Sequence, residues 1–336
     1  MHTNTIAVDL AKSVFQVSFA NKADRIIDRK RLTRSQFERL IVTHEPTTIV
    51  MEACASAHHW CRFASEHGHH TKQLHPFYVK PYVRRNKTDA ADADALIRAN
   101  KDPHLLPVPT KHPDQQALQG IHRVRQQLIQ TRTQRINLAR ALASEFGVSL
   151  PRGTASVTTK FRAKADQLPG LLTATFMTVI DDIEIHQKQV EQLDNDLAQI
   201  AKQHNLATRL MSIPGIGVIT ATALIASVPD IHRFKRGRRF AAWLGITPRE
   251  HSSGNTQRLG RISKQGNGYL RTMIIHGARS LMLQAHRRKP DERDPIHHWI
   301  VNMEETKHRN VVAVATANKL ARIIWATWIT GKPYSP

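Results

Sequence analysis

Thr5-Ile6-Ala7-Val8-Asp9-Leu10 is a short apolar run that meets a carboxylate near its end, and Thr48-Ile49-Val50-Met51-Glu52 follows the same plan further along. Runs of this length, apolar and partly β-branched, read as buried strands. A carboxylate closing such a strand is costly to bury without a partner, so Asp9 and Glu52 stand out from the surrounding residues. Working outward, Val14 to Phe19 and Arg25 to Arg31 predict two more strands in a meander with the first. Helices over about Ser35 to Thr43 and Ala57 to His67, a strand near Thr71 to Leu74 and a helix starting after Lys87 complete the first hundred residues.

The expected order, βββαβαβα, is that of an α/β ribonuclease-H-like domain. Its last helix opens with Lys87-Thr88-Asp89-Ala90-Ala91-Asp92-Ala93, which puts Asp89 and Asp92 three apart on one helix face, among alanines that let the helix lie close to a sheet. Asp9, Glu52, Asp89 and Asp92 converging in this way would bind two hard divalent ions, Mg²⁺ rather than zinc because the ligands are all oxygen. Simpler roles stand beside this one: Asp89 capping the helix with Thr88, Asp92 solvated beside Asp94 on another face, Asp9 paired with Lys12. Cys54, His58 and Cys61 share one face of a possible helix, but three ligands on one helix cannot close a tetrahedron, so they read as packing.

Charge narrows the function. The chain has 336 residues, 49 Lys plus Arg against 27 Asp plus Glu and a formal net charge of +22, which excludes a neutral housekeeping enzyme as the default. Its 40% hydrophobic content is enough for real cores, so the charge belongs to a folded polyanion binder of roughly two domains. Residues 231–290 hold fourteen Lys and Arg against a single acid, Glu250, whereas residues 1–100 hold fifteen against ten. Arg236, Arg238, Arg239, Arg258, Arg261, Lys264 and Arg271 are spread through that basic stretch between glycines, a pattern suited to tracking a phosphate backbone. No apolar run reaches about 18 residues and the N-terminus lacks a secretory pattern, so no membrane and no export are expected. Two cysteines fit a reducing cytoplasm.

Between about Pro113 and His204 long helices are expected. Leu172, Phe176, Val179, Ile183, His186, Val190, Leu193, Leu197, Ile200 and His204 form a heptad seam, and Ile121, Val124, Leu128, Thr131, Arg135, Leu138 and Leu142 keep the same spacing earlier. With Pro151, Gly153, Pro169 and Gly170 between them, they predict an antiparallel hairpin, able to pair with another subunit or to pack only on its own domain. Beyond Leu206, Ile213-Pro214-Gly215-Ile216-Gly217 before a small-residue helix looks like half a helix-hairpin-helix, in which Pro214, Gly215 and Gly217 bring backbone N–H groups to a DNA phosphate; a tight helix turn needs the same residues. Val311 to Trp328 reads as a packing helix. Ser252-Ser253-Gly254 lies amid guanidinium groups, where a serine is a candidate nucleophile toward a phosphodiester, although turn-forming is the commoner use of such serines.

At these residues the chain resembles the DEDD-type insertion-sequence transposases, relatives of the pilin-gene invertase described as bridge-RNA-guided serine recombinases. The resemblance rests on Asp9, Met51-Glu52-Ala53-Cys54, Lys87-Thr88-Asp89 to Asp92-Ala93, Ile213 to Gly217, Gly245-Ile246-Thr247-Pro248, Ser253-Gly254 and Ser263-Lys264-Gln265-Gly266-Asn267. It implies a RuvC-like DEDD domain over residues 1–105, a coiled-coil helical hairpin over 106–205 and a mostly α-helical transposase domain over 206–336. It also implies that Asp9, Glu52, Asp89 and Asp92 bind metal and that Ser253, the serine directly before glycine, is the nucleophile. Asn255 stands where the family often has a second glycine. The implied partners are double-stranded donor and target DNA, a structured noncoding guide RNA and a homodimer that becomes a tetramer on DNA, in a bacterial cytoplasm. Two other readings compete: a Holliday-junction endonuclease using metal-activated water, and a nucleic-acid-binding protein without catalysis.

Overall fold

Apolar alternation in the first hundred residues becomes a five-stranded sheet. The computed structural model describes residues 3–83, 89–153 and 156–335, without the side chains of 89 and 90. Lys87 and Thr88 of the acidic helix motif therefore lie outside the described residues. The chain divides into two compact units, Met1–His112 and Pro113–Pro336.

In the first unit, β1 (Thr5–Asp9), β2 (Val14–Ala20) and β3 (Ile26–Thr33) form the meander. Then come α1 (Arg34–Thr43), β4 (Thr48–Glu52), α2 (Ala57–Glu66), β5 (His70–Leu74), the one-turn α3 (Pro76–Val79) and α4 (Asp89–Asn100). The sheet order is β3-β2-β1-β4-β5, antiparallel through the meander and parallel from β1 to β5. That mixed sheet is consistent with the ribonuclease-H-like order expected.

The period of two along β1 and β4 divides the core into two layers. Ile6, Val8, Ile49 and Met51 face α1 and α2, where Phe15, Phe37 and Trp60 meet edge to face with centroids 5.0–5.3 Å apart. Ala7 and Val50 face the opposite way, toward Ala95, Leu96, Ile97 and Ala99 of α4. Small residues on both sides of that second layer are what let the helix lie close.

The second unit is helical apart from one ribbon. Two long helices, α5 (Pro113–Glu145) and α7 (Gly170–Gln203), flank the short α6 (Val157–Arg162). They are followed by α8 (Asn205–Met211), α9 (Val218–Ser227), α10 (Gly237–Trp243), the ribbon strands β6 (Pro248–Glu250) and β7 (Leu259–Ile262), α11 (Gly268–Arg287), α12 (Pro295–Glu304) and α13 (Arg309–Thr330). No helix among the described residues is long and apolar enough to cross a membrane.

α5 and α7 pack on each other as the hairpin expected, but not as a continuous coiled coil. The α7 seam is buried at Phe176, Val179, Ile183, Val190 and Leu197. On α5 the buried residues are Leu118, His122, Ile136, Ala139 and Ala143, a stripe displaced from the one the heptads predict; Val124 is 54% exposed and Leu138 40%. Both α5 and α7 also pack on α9. The two apolar clusters of the hairpin lie at its two ends, with Val190 buried between them. Between them Arg125 donates to Asp194, Arg132 to Gln187, and Arg135 pairs with Asp182 at 3.4 Å. Partly exposed pairs of this kind contribute about 0–1 kcal/mol each, so they set register more than stability.

His122 lies 3% exposed between α9 and α11. The Thr222 hydroxyl donates to the Val218 carbonyl at 2.7 Å, so it accepts from His122 Nε2–H at 3.1 Å, and His122 Nδ1 accepts from the Tyr269 hydroxyl at 3.1 Å. Burial, helped by the nearby Arg125 charge, lowers its pKa from 6.5 to about 4. The neutral ring is the folded form, so its stabilisation is complete above pH 6.5 and is lost as the unfolded chain takes up the proton between 6.5 and 4. Denaturant midpoints across that window are expected to fall by an amount equivalent to about 3 kcal/mol. An unchanged midpoint would show the ring to be charged in the fold.

Candidate active site

Asp9 and Glu52 close adjacent parallel strands, whose last paired residues are Val8 and Met51. Counting by twos from Ala7 and Val50 puts both carboxylates on the α4 side of the sheet. Asp92, in the first turns of α4, joins them: Asp9, Glu52 and Asp92 line one cavity of about 540 Å³ with Pro76, Phe77, Val79, Lys80, Val83 and Leu96. Asp9 and Glu52 are half-buried and both have polar or electrostatic partners. Asp89 begins α4, one turn before Asp92, with its side chain outside the described residues.

Asp94 turns away, as its spacing predicts. Its carboxylate accepts from Ser18 Oγ at 2.8 Å and from Arg29 Nη2 at 2.9 Å, and so ties α4 to β2 and β3. The donor set of the cavity is wholly carboxylate, which suits a hard divalent cation. Yet among the described residues no three His, Cys, Asp or Glu side chains gather closely enough to hold an ion. Three of the expected quartet thus share a cavity without closing on one point.

The zinc-like trio is packing. Cys61 is buried, its Sγ is 3.6 Å from Met51 Sδ and burial pushes its thiol pKa up. His58 Nδ1 accepts from the Lys111 backbone N–H at 3.3 Å, and Cys54 is exposed.

The serine centre stands on a feature that sequence reading missed. β6 and β7 form a ribbon whose tip is Ser253-Gly254-Asn255-Thr256, closed by Ser253 N–H to Thr256 O at 3.2 Å and Thr256 N–H to Ser253 O at 3.1 Å. Gly254 takes φ +55° at the first of two central positions, where a type II′ hairpin turn requires glycine. The Pro248 and Ser-Gly-Asn punctuation was the available signal for this ribbon.

The tip also separates the two serines. Ser252 Oγ donates to Glu250 Oε1 at 2.7 Å and accepts from Arg258 N–H at 3.2 Å, so it braces the ribbon. Ser253 is exposed, and its hydroxyl has no partner among the described residues.

Arg258, Arg261 and Lys264 are exposed around it in sequence, and α10 buries Phe240 and Ala241 while Arg236, Arg238 and Arg239 stay in solvent. Arg271 is half-buried, and its Nη1 donates to the Leu244 and Gln265 carbonyls, both at 3.1 Å, so it secures main chain. Gly215 has a packing constraint of its own. It takes φ +83°, and a Cβ there would stand 2.7 Å from the Gly277 carbonyl oxygen, so the close approach of α11 requires glycine here. Pro214 is half-buried beside it, while Gly217 at the start of α9 is exposed and has open space where a Cβ would stand.

Comparisons with known proteins give the family. Residues 6–147 match the DEDD transposase family of the IS110 group, and residues 207–293 match the family described as Transposase IS116/IS110/IS902. A probable family 20 transposase of Pseudomonas aeruginosa is 38% identical over the whole of both chains. The transposase for insertion sequence element IS1111A of Coxiella burnetii is 35% identical, covering 96% of this chain and 88% of its own. A pilin gene-inverting protein of Moraxella bovis is 23% identical over 99% of this chain and 98% of its own. Both matched families are described as transposases, the first of the DEDD type, so the classification as a serine recombinase carried by the resemblance is corrected to DEDD transposase; neither description names the attacking group. The chain belongs to the IS110 family of transposases, enzymes that cleave DNA and transfer its strands.

Proposed function

We propose that this transposase cuts and rejoins DNA through a covalent ester on Ser253, with Asp9, Glu52, Asp89 and Asp92 holding Mg²⁺. The observation that carries the reading is the ribbon tip: Ser253 offers an exposed hydroxyl without a partner among the described residues, on a turn closed by two backbone bonds to Thr256, whereas Ser252 is committed to Glu250 and Arg258. Divalent metal is usual in DEDD-type transposases, and it supplies Lewis acidity toward a phosphate oxygen.

Ser253 Oγ attacks phosphorus and forms an O–P bond as one bridging P–O bond of the DNA backbone breaks. The serine proton passes to a carboxylate, and the departing sugar oxygen takes up a proton. Arg258, Arg261 and Lys264 offset the charge of the pentacovalent phosphate. Attack by a sugar hydroxyl on the phosphoserine reverses these changes and restores the serine, so strand exchange needs no external energy source.

Arg236, Arg238, Arg239 and the N–H groups beyond Gly217 grip phosphates without reading sequence. Sequence choice on donor and target DNA is delegated to pairing with a structured noncoding RNA. A homodimer, assembling to a tetramer when two duplexes are joined, completes the reading. Its parts are an acidic domain, a helical hairpin and a serine domain.

The test is a denaturing gel of full-length protein with junction DNA of the element, Mg²⁺ and its flanking transcript. An adduct is expected, lost with Asp9→Asn, with chelator and without the transcript. Free cleaved ends without adduct, indifferent to Ser253→Ala, would instead assign hydrolysis by metal-activated water, as in a Holliday-junction endonuclease.

A further inference from the structure

The acidic cavity has a second wall that neither the acids nor the serine explain. α3 turns between β5 and α4 and is held by Val79, which is 4% exposed in the inner layer of the core, and by His75, whose Nδ1 accepts from Phe77 N–H at 3.2 Å. With the turn anchored in this way, Phe77 is left 65% exposed and Tyr78 53% exposed. Their rings meet edge to face at 5.3 Å and 84°, and the exposed His75 ring lies 5.8 Å from Tyr78. Phe77 and Lys80 both line the cavity that Asp9, Glu52 and Asp92 line.

Large rings held in water forgo burial that a four-residue turn could have used, so a ligand with an apolar face accounts for them better than the fold does. An exposed aromatic face beside a lysine is the pairing that binds unpaired nucleotides: the ring takes a base and the cation takes a phosphate. We propose that Phe77 is a stacking platform for one nucleobase next to the scissile phosphate, that Tyr78 steadies its ring, and that Lys80 holds the adjoining phosphate. Both faces of a base within a duplex are covered, so the nucleotide on Phe77 is unstacked from its neighbour when the strand is cut. Every base has a π-face, so the platform is indifferent to sequence. This assignment rests on the reading that the acidic cavity receives the scissile phosphodiester.

The test walks a single abasic residue across the cleavage position and measures single-turnover cleavage by wild type, Phe77→Ala and Phe77→Trp. Phe77→Ala is expected to slow cleavage about ten- to hundredfold, the range for loss of one stacked base, and Phe77→Trp to retain the rate. At one abasic position the wild type should fall to the Phe77→Ala rate, with no further loss in the variant. Lys80→Gln should lower the salt dependence of DNA binding by about one released ion.

A readout without cleavage separates this proposal from the chemistry: 2-aminopurine at that position should change fluorescence on binding Asp9→Asn protein and not on binding the Asp9→Asn, Phe77→Ala double variant. If that signal appears while no adduct ever forms, the stacking stands and the serine reading fails. Losses that multiply at every abasic position would overturn the platform. So would a Phe77→Ala protein that cuts normally but fails to self-associate, because the rings would then bind a second copy of the chain.

Discussion

Ser253→Ala is expected to abolish the covalent protein–DNA adduct and to lower strand transfer by at least about a thousandfold, as loss of a nucleophile does. Ser252→Ala is expected to keep the adduct and to stay within about tenfold of wild type. The contrast follows from what each hydroxyl touches. Ser252 spends its proton on Glu250 Oε1 at 2.7 Å and a lone pair on Arg258 N–H at 3.2 Å. Its removal loosens a ribbon that the Ser253–Thr256 backbone bonds still close. Ser253→Cys is informative as well, since a thiol can occupy the same turn. Quantifying adduct and joined product for the three variants on one gel checks all of this. Equal losses in Ser252→Ala and Ser253→Ala would show that the ribbon as a whole, rather than one oxygen, carries the reaction.

The second large effect is on stability, at the clasp beneath the ribbon. Gly245 takes φ +71° and Gly266 φ +78°, and the two turns interlock: a Cβ on Gly266 would lie 1.9 Å from the Trp243 carbonyl oxygen, and one on Gly245 would lie 2.1 Å from the Gln265 carbonyl oxygen. Backbone bonds from Lys264 N–H to Gly245 O at 3.1 Å and from Ser263 N–H to Thr247 O at 2.9 Å fasten them, and Arg271 binds a carbonyl from each side. Both contacts are with main chain, which has no rotamer to yield. Gly266→Ala is therefore expected to destabilise the second unit by about 4 kcal/mol or more, in the range reserved for steric and backbone failures. Gly254→Ala meets no atom within 4 Å and carries only the left-handed penalty at φ +55°, about 1–2 kcal/mol. Urea midpoints of the two variants measure the difference, and similar midpoints would contradict the clasp.

These glycines show how far sequence reading reaches. Gly245-Ile246-Thr247-Pro248 and Ser263-Lys264-Gln265-Gly266-Asn267 are visible as motifs, but that one closes on the other depends on atoms twenty residues apart in the chain. The helical hairpin is similar. On α7 the buried residues include five positions of the predicted seam, whereas α5 buries a different stripe from the one its heptads suggest, and both helices also pack on α9. The ribbon escaped notice because its strands are three and four residues long, too short for alternation to register, and α3 has only one turn and no period at all.

What the sequence by itself determined was every element of the β1-to-β5 sheet, the ends at which Asp9 and Glu52 emerge, and the separation of Asp92 from Asp94. All of these follow from periods of two and three to four residues, which are local properties of backbone geometry. Only the tertiary structure decided which of two adjacent serines lacks a partner among the described residues, that Gly215 meets α11 and Arg271 binds two carbonyls, and that an aromatic turn shares the cavity of the acids. Those outcomes depend on which distant surfaces meet, and a local pattern records that a face is buried without recording what covers it.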